Sequence, residues 1–189
     1  MNKNFIEKIK QYDLLSRPLY AADRFDDVEK LLSNLLEFAK TNDEKDLVFS
    51  ELVNHYHRAK KLLDAKTLLK ERIELAPDRV SGWLGMAEHF HYHDVDLDRA
   101  SENIEIALRN AIVQKELVRQ VLGVRIRIAL EQGKYEVVNQ SLRELVDYQV
   151  PEAGLDVGFE KDFVSQIPVH LVDEAILNRY MKMIVDADT

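Results

Sequence analysis

Apolar residues recur along this chain at intervals of three and four positions, which is the spacing of one face of an α-helix. The stretches 62–75 and 104–111 show this spacing most clearly. No segment alternates apolar and polar residues as a half-buried β-strand would. The pattern therefore predicts an all-α protein.

Turn-forming residues divide this pattern into separate helices. Pro77 disfavours helical geometry in the residue before it, and Asp78 is expected to cap the helix that follows. Asp94, Val95 and Asp96 are expected to form a turn with a further capping carboxylate, and Gly133 marks a tight break. Pro18 should kink the first helix or end it near Ser16. The helices predicted after it span residues 25–40, 44–60, 80–93, 97–110, 117–131, 135–148 and 169–185, and a further helix is predicted to end before Pro77.

A small or β-branched apolar residue returns at one position of this pattern, where it would let two helices of a hairpin approach closely. The recurring residues are Val28, Ala65, Ala100 and Val138, at spacings of 37, 35 and 38 residues. One helix pair cannot cover its own apolar face, so a period of this size indicates hairpins that stack on one another. The sequence thus predicts a solenoid with one continuous core.

Composition narrows the function classes. The chain has 189 residues, of which 46% are hydrophobic and 32% charged, and it has no cysteine. The absence of cysteine excludes a disulfide framework, a thiolate zinc site and a cysteine nucleophile. No run of about 18 apolar residues and no signal-peptide centre occurs, which predicts a cytoplasmic protein without a membrane segment.

The net charge of −8 argues against nucleic acid as a partner, because binding to phosphates depends on clustered basic residues. Arg119, Arg125 and Arg127 form the one basic concentration. No aromatic residues are interleaved with them, so we interpret these arginines as a solvated or salt-bridged helix face.

The repeat resembles the tetratricopeptide repeat family. The second repeat carries the family's pattern best, and the third and fourth follow it with departures such as Arg125 at a position where an apolar residue is expected. The matching residues of the second repeat are Leu52, Tyr56, Ala65, Leu69 and Pro77; those of the third are Trp83, Met86, Ala87, Phe90, Ala100, Ile104 and Ala107.

This resemblance implies a right-handed superhelical solenoid of antiparallel helix pairs, with about 3.5 hairpins and a C-terminal capping helix. It is expected to form a single domain with a degenerate first repeat at 1–41. Further repeats would occupy 42–79, 80–113 and 114–150, and an ordered loop with the capping helix 151–189. Leu155, Val157, Phe159 and Phe163 are the apolar side chains expected to hold that loop in place.

The family's groove-lining positions, carried over to this sequence, imply a concave site that receives a peptide or helix of a partner protein. The expected groove residues are Arg17, Tyr20, Asn54, His57, Arg58, Glu88, His91, Tyr92, Arg127 and Glu131. The resulting hypothesis is a non-catalytic protein-binding adaptor without a cofactor. The alternative is a homodimerising helical scaffold.

A cluster of histidines offers a third, less favoured hypothesis. His89 and His93 lie four residues apart on a predicted helix, with His91 between them, and this spacing suits two metal ligands. However, the His-Glu-x-x-His arrangement of zinc hydrolases is absent. We therefore interpret His57 and His91 as polar groove residues and expect no metal site. No catalytic nucleophile arrangement is visible.

Overall fold

The computed structural model describes residues 3–148 and 164–186. All regular structure in these two segments is helical, which confirms the all-α prediction. The α-helices are α1 (Lys3–Ala21), α2 (Phe25–Phe38), α3 (Asn42–Arg58), α4 (Leu62–Leu75), α5 (Val80–His89), α6 (Leu97–Gln114), α7 (Val118–Glu131), α8 (Tyr135–Asp147) and α9 (Glu174–Asp186). A π-helical turn (Phe90–Asp94) extends α5, and a 3₁₀ turn (Val169–Leu171) precedes α9.

The chain divides into two compact units, residues 1–77 and 78–189. In the first unit α1 packs on α2, α2 on α3, and α3 on α4. In the second unit α5 packs on α6, α6 on α7, α7 on α8, and α8 on α9. Each helix therefore packs mainly on its neighbours in sequence, and Pro77 ends the first unit where the sequence predicts a helix break.

Two further sequence predictions concern the loop after α8 and a membrane-spanning helix. The expected loop residues Leu155, Val157, Phe159 and Phe163 lie outside the described residues. Among the helices of the two described segments, none is long and apolar enough to cross a lipid bilayer.

The four hairpins share one turn geometry. In each, a residue in the left-handed backbone region ends the turn, five positions before a fully buried apolar residue. The left-handed residues are Asp23 (φ 54°), Lys60 (φ 58°), Val95 (φ 52°) and Gly133 (φ 67°). The buried residues are Val28, Ala65, Ala100 and Val138. The recurring position predicted from the sequence is therefore a constant point of each hairpin, at the first turn of the returning helix.

Hydrogen bonds close these turns in the manner of a Schellman motif. The N–H groups of Arg24, Lys61 and Lys134 donate to carbonyls five residues earlier, at 2.8–2.9 Å. In the third hairpin the N–H of Asp96 reaches the carbonyl of Phe90, six residues earlier, at 2.9 Å. The longer reach follows from the π-helical turn, which holds one more residue than an α-helical turn.

Several predicted helix ends are wrong, for identifiable reasons. Helix α1 continues through Pro18 to Ala21, because a proline near the C-terminus of a helix removes only one hydrogen bond while later amides still close the last turn. Arg79, without a side-chain cap, precedes α5, so Asp78 does not cap it. Helix α9 begins at Glu174 instead of near residue 169, since the Asp173 carboxylate accepts from the N–H groups of Ala175 and Ile176.

The interior of each unit contains an arginine held by carboxylates. Nε of Arg72 lies 2.6 Å from Oδ1 of Asp46 in the first unit. In the second unit Nε of Arg125 lies 2.6 Å from Oε1 of Glu105, and its Nη1 donates to Ser141. The repeat pattern expects an apolar residue at position 125. The arginine is accommodated there because it links α7 to both α6 and α8.

Replacing Val95 by glycine should stabilise the protein. A β-branched residue in the left-handed region is strained by on the order of 1 kcal/mol, and glycine is not. Val95 is 72% exposed, so little packing is lost. We expect Val95→Gly to raise the free energy of unfolding by about 1 kcal/mol, measured by urea denaturation.

Gly133→Ala is the matched control, and it should change the free energy of unfolding in the opposite direction. No atom lies within 4 Å of an added Cβ at Gly133, so only backbone strain should act, and a loss of about 1 kcal/mol is expected. If Val95→Gly and Gly133→Ala changed stability in the same direction, the shared turn geometry would not be what sets these energies.

Candidate functional site

Four of the predicted groove residues line one cavity of the second unit. His91, Tyr92, Arg127 and Glu131 face a cavity of about 460 Å³. The other lining residues are Leu130, Tyr135, Gln166 and Pro168. A cavity of this volume lies within the usual range of ligand sites, about 300–1,000 Å³.

Local helix geometry brings these side chains together. Arg127 and Glu131 are one turn apart on α7, so both point to the same side of that helix. His91 and Tyr92 come from the π-helical turn that follows α5. A π-helical turn changes the angular spacing of the side chains, and such turns are frequent at functional sites.

Two hydrogen bonds link the π-helical turn to α7. Nε2 of His91 lies 2.8 Å from Oε1 of Glu131, and Nη1 of Arg127 donates to the Tyr92 hydroxyl at 2.8 Å. The His91 ring is buried, whereas the Glu131 carboxylate and the Tyr92 ring are about half exposed. The cavity wall thus presents a carboxylate, a phenol and a guanidinium in fixed positions at the surface.

Glu88 adds a titrating group beside this cavity. It lies half-buried on α5, and burial raises the pKa of its carboxyl group to about 7, while the nearby Arg127 guanidinium acts to lower that pKa. The charge beside Arg127 therefore changes near neutral pH.

The predicted residues of the first unit form a different arrangement. The Arg58 guanidinium lies 4.8 Å from the centre of the Tyr20 ring, a cation–π contact. The Tyr20 hydroxyl lies 3.2 Å from Nδ1 of the fully buried His55. Burial lowers the pKa of His55, and the Glu29 carboxylate opposes that change. These contacts join α1, α2 and α3 through one polar cluster.

The remaining predicted residues of the first unit lie around this cluster. Arg17 forms an exposed ion pair with Asp13, in which Nη2 and Oδ2 are 2.6 Å apart. On α3, Asn54 is exposed and His57 is half-buried. A cavity of the first unit lies elsewhere, between α1 and α2, and none of the predicted residues lines it.

Some residues of these sites were not among the predicted groove positions. Tyr135 and Gln166 line the cavity of the second unit. In the first unit the Glu51 carboxyl group is half-buried, and burial raises its pKa while Arg58 lowers it. Glu51 stands one turn before His55 on α3, so helical spacing could have indicated it. Gln166 follows a long connection, and no periodic signal reaches it.

The histidine cluster is divided by the fold. His89 is fully buried, with Nε2 3.5 Å from Oδ1 of Asp94, and its ring centre lies 5.6 Å from that of His93. His91 turns instead to Glu131. Across the described segments, no three histidine, aspartate or glutamate side chains gather as metal ligands. The described residues therefore offer no set of ligands that would support the metal-dependent hypothesis.

Comparison with known proteins finds similarity in structure but not in sequence. No protein-family model matches the sequence, and no curated protein matches it. Among solved structures, the chain is similar to the crystal structure of BtubC (BKLC) from P. vanneervenii, with a TM-score of 0.67 and 12% sequence identity. The similarity covers 95% of this chain and 77% of that one. At this identity it shows a shared helical fold alone.

Glu88 should make stability depend on pH. Its pKa in the folded protein is about 7, above the ordinary value of 4.5, so folding favours the protonated form. The stabilisation is complete below pH 4.5 and is lost as the pH rises through 7. Glu88→Gln should therefore be more stable than the wild type at pH 8, by on the order of 2 kcal/mol, with no difference near pH 4.5.

Thermal or urea denaturation at the two pH values measures this difference. Glu102→Gln, at an exposed position of α6, is the control and should change stability at neither pH. A Glu88→Gln protein that loses stability at pH 8 would show that the folded state requires the ionised carboxylate.

Proposed function

We propose that this protein is a non-catalytic adaptor that binds a peptide or helical segment of a partner protein. The observation that supports this most strongly is the meeting of His91, Tyr92, Arg127 and Glu131 around one cavity. All four stand at positions that match the groove-lining positions of tetratricopeptide repeat proteins.

The chemistry of the cavity suits recognition of a polypeptide. Glu131 and Tyr92 offer acceptors for partner N–H groups, and Arg127 offers donors for a carbonyl or carboxylate. Tyr92 and Tyr135 supply aromatic surface, and Tyr and Arg are enriched among residues that dominate binding energies. Because Arg127 is already held by Tyr92, and Glu131 by His91, little side-chain freedom would be lost on binding.

The finer parts of the proposal rest on the family resemblance. They are a right-handed superhelix of tetratricopeptide repeats, a concave groove, and a cytoplasmic location. Tyr20 and Arg58 of the first unit would supply a further contact area for a partner. The cation–π contact between them supports this role, since it holds Arg58 in place while leaving it exposed.

Capture of partner proteins from extracts of the source organism tests the adaptor function. Immobilised Arg127→Ala and Tyr92→Ala proteins should each retain the captured partner about tenfold less than the wild type does, as expected for central interface residues. The measurement is quantitative mass spectrometry of the bound fraction. Arg58→Ala should give a smaller loss.

Arg109→Ala is the matched control, because Arg109 is an exposed arginine on α6 that does not line the cavity. It should capture the partner as well as the wild type does. Equal capture by the Arg127→Ala, Tyr92→Ala and control proteins, with all of them folded by circular dichroism, would reject the cavity as the binding site.

A further inference from the structure

The first unit has an apolar groove that borders its core and contains none of the residues of the proposed partner site. It lies between α1 and α2 and encloses about 170 Å³. Tyr12, Leu15, Leu31, Leu35 and Phe38 supply its apolar lining. Lys8, Gln11 and Asn34 complete the lining, and Nζ of Lys8 lies 4.8 Å from the centre of the Phe38 ring.

The apolar side chains of this groove continue onto the surface. Of the groove residues, Leu15 is 53% exposed and Phe38 51%. We call Leu15 and Phe38 the α1–α2 patch. A single exposed leucine is ordinary, but adjacent large apolar residues beside a groove are typical of an interaction site.

Helix α1 explains why the patch is left uncovered. Phe5 and Tyr12 of this helix are buried in the core of the first unit, and Ile9 and Leu19 pack against that core. Leu15 lies about one turn after Tyr12 at the edge of this buried face and is half-exposed. Helix α1 thus has more apolar surface than its packing against α2 covers.

The distribution of charge favours a second copy of this chain as the occupant. Residues 1–77 contain as many basic as acidic residues, so the net charge of −8 arises wholly within residues 78–189. Two copies that met through their second units would repel each other. Contact through the first unit avoids that repulsion, because residues 1–77 carry no net charge.

The groove is also suited to an interface that pairs identical surfaces. Such an interface must hold both a projecting group and the recess that receives it, because the same patch occurs on both sides. Phe38 projects beside a recess formed by Tyr12, Leu31 and Leu35.

We propose that the α1–α2 patch joins two copies of this protein in a two-fold dimer. Phe38 and Leu15 of each copy pack into the α1–α2 groove of the other. The dimer closes on itself, because an interface that pairs identical surfaces leaves no free copy of that surface. The cavity of the second unit takes no part in this contact.

Molar mass measured over a concentration series tests the dimer. The wild-type protein should approach twice its monomer mass of 22.0 kDa at high concentration, by light scattering or sedimentation equilibrium. Leu15→Glu should weaken association at least tenfold, because it places a carboxylate of each copy in an apolar contact. Leu63→Glu is the matched control, as Leu63 is 76% exposed on α4 and outside the groove, and it should associate as the wild type does.

A single engineered cysteine gives a second readout, because a cross-link makes the dimer covalent and shows which residues meet in it. The chain has no cysteine of its own, so a thiol cross-linker can join two copies only through the introduced residue. Leu15→Cys should form a cross-linked dimer in high yield, and Leu63→Cys should not. Circular dichroism of each variant establishes that it is folded.

Other results overturn the proposal. A wild-type protein that remains monomeric at every concentration would do so, as would equal cross-linking yields from Leu15→Cys and Leu63→Cys. A monomeric wild type whose captured partner is lost on Leu15→Glu substitution would assign the patch to a different protein. None of these results bears on the cavity of the second unit, whose variants are separate.

Discussion

The architecture depends on one backbone constraint, a left-handed turn placed five residues before a fully buried, compact residue. Asp23, Lys60, Val95 and Gly133 provide the turn, and Val28, Ala65, Ala100 and Val138 provide the buried contact. The turn reverses the chain after each outgoing helix, and the compact residue lets the returning helix approach closely. Repeating the constraint gives both units the same construction, in which each helix packs on its neighbours in sequence.

Polar groups placed within this helical packing give the two units different surfaces. Arg72 and Arg125 are buried and pair with partly exposed carboxylates, and such pairs fix how adjacent helices align because an unpaired buried charge is costly. In the second unit the π-helical turn brings His91 and Tyr92 to α7 and creates a polar cavity. The first unit presents the apolar α1–α2 patch instead. The second unit is acidic and has a polar cavity, whereas the first is neutral and has an apolar groove. These different surfaces suit the two contacts that we propose, one with a partner protein and one with a second copy of the chain.

Much of the helical order was predictable because helix periodicity and turn chemistry are local. The starts of α2, α6 and α8 and the end of α7 agree with the sequence prediction. A carboxylate of the turn 94–96 caps α6 as expected, and the structure identifies it as that of Asp96. Errors arose where two local signals competed. Pro18 is a helix breaker that the end of α1 accommodates, and Asp173 outcompetes the apolar periodicity that seemed to extend α9 toward residue 169.

The candidate site was predictable only in part. The family pattern indicated His91, Tyr92, Arg127 and Glu131, but no sequence signal showed that they share a cavity while Asn54 and His57 stand apart from it. Tyr135 and Gln166 join the cavity from other elements, and His89 turns to Asp94 instead of to its fellow histidines. By itself the sequence determined the helices, their order and the repeating turn, because each depends on residues within a few positions of one another. Only the tertiary structure decided which side chains meet, since burial, the π-helical turn and contacts between α7 and the turn after α5 join residues some 40 positions apart.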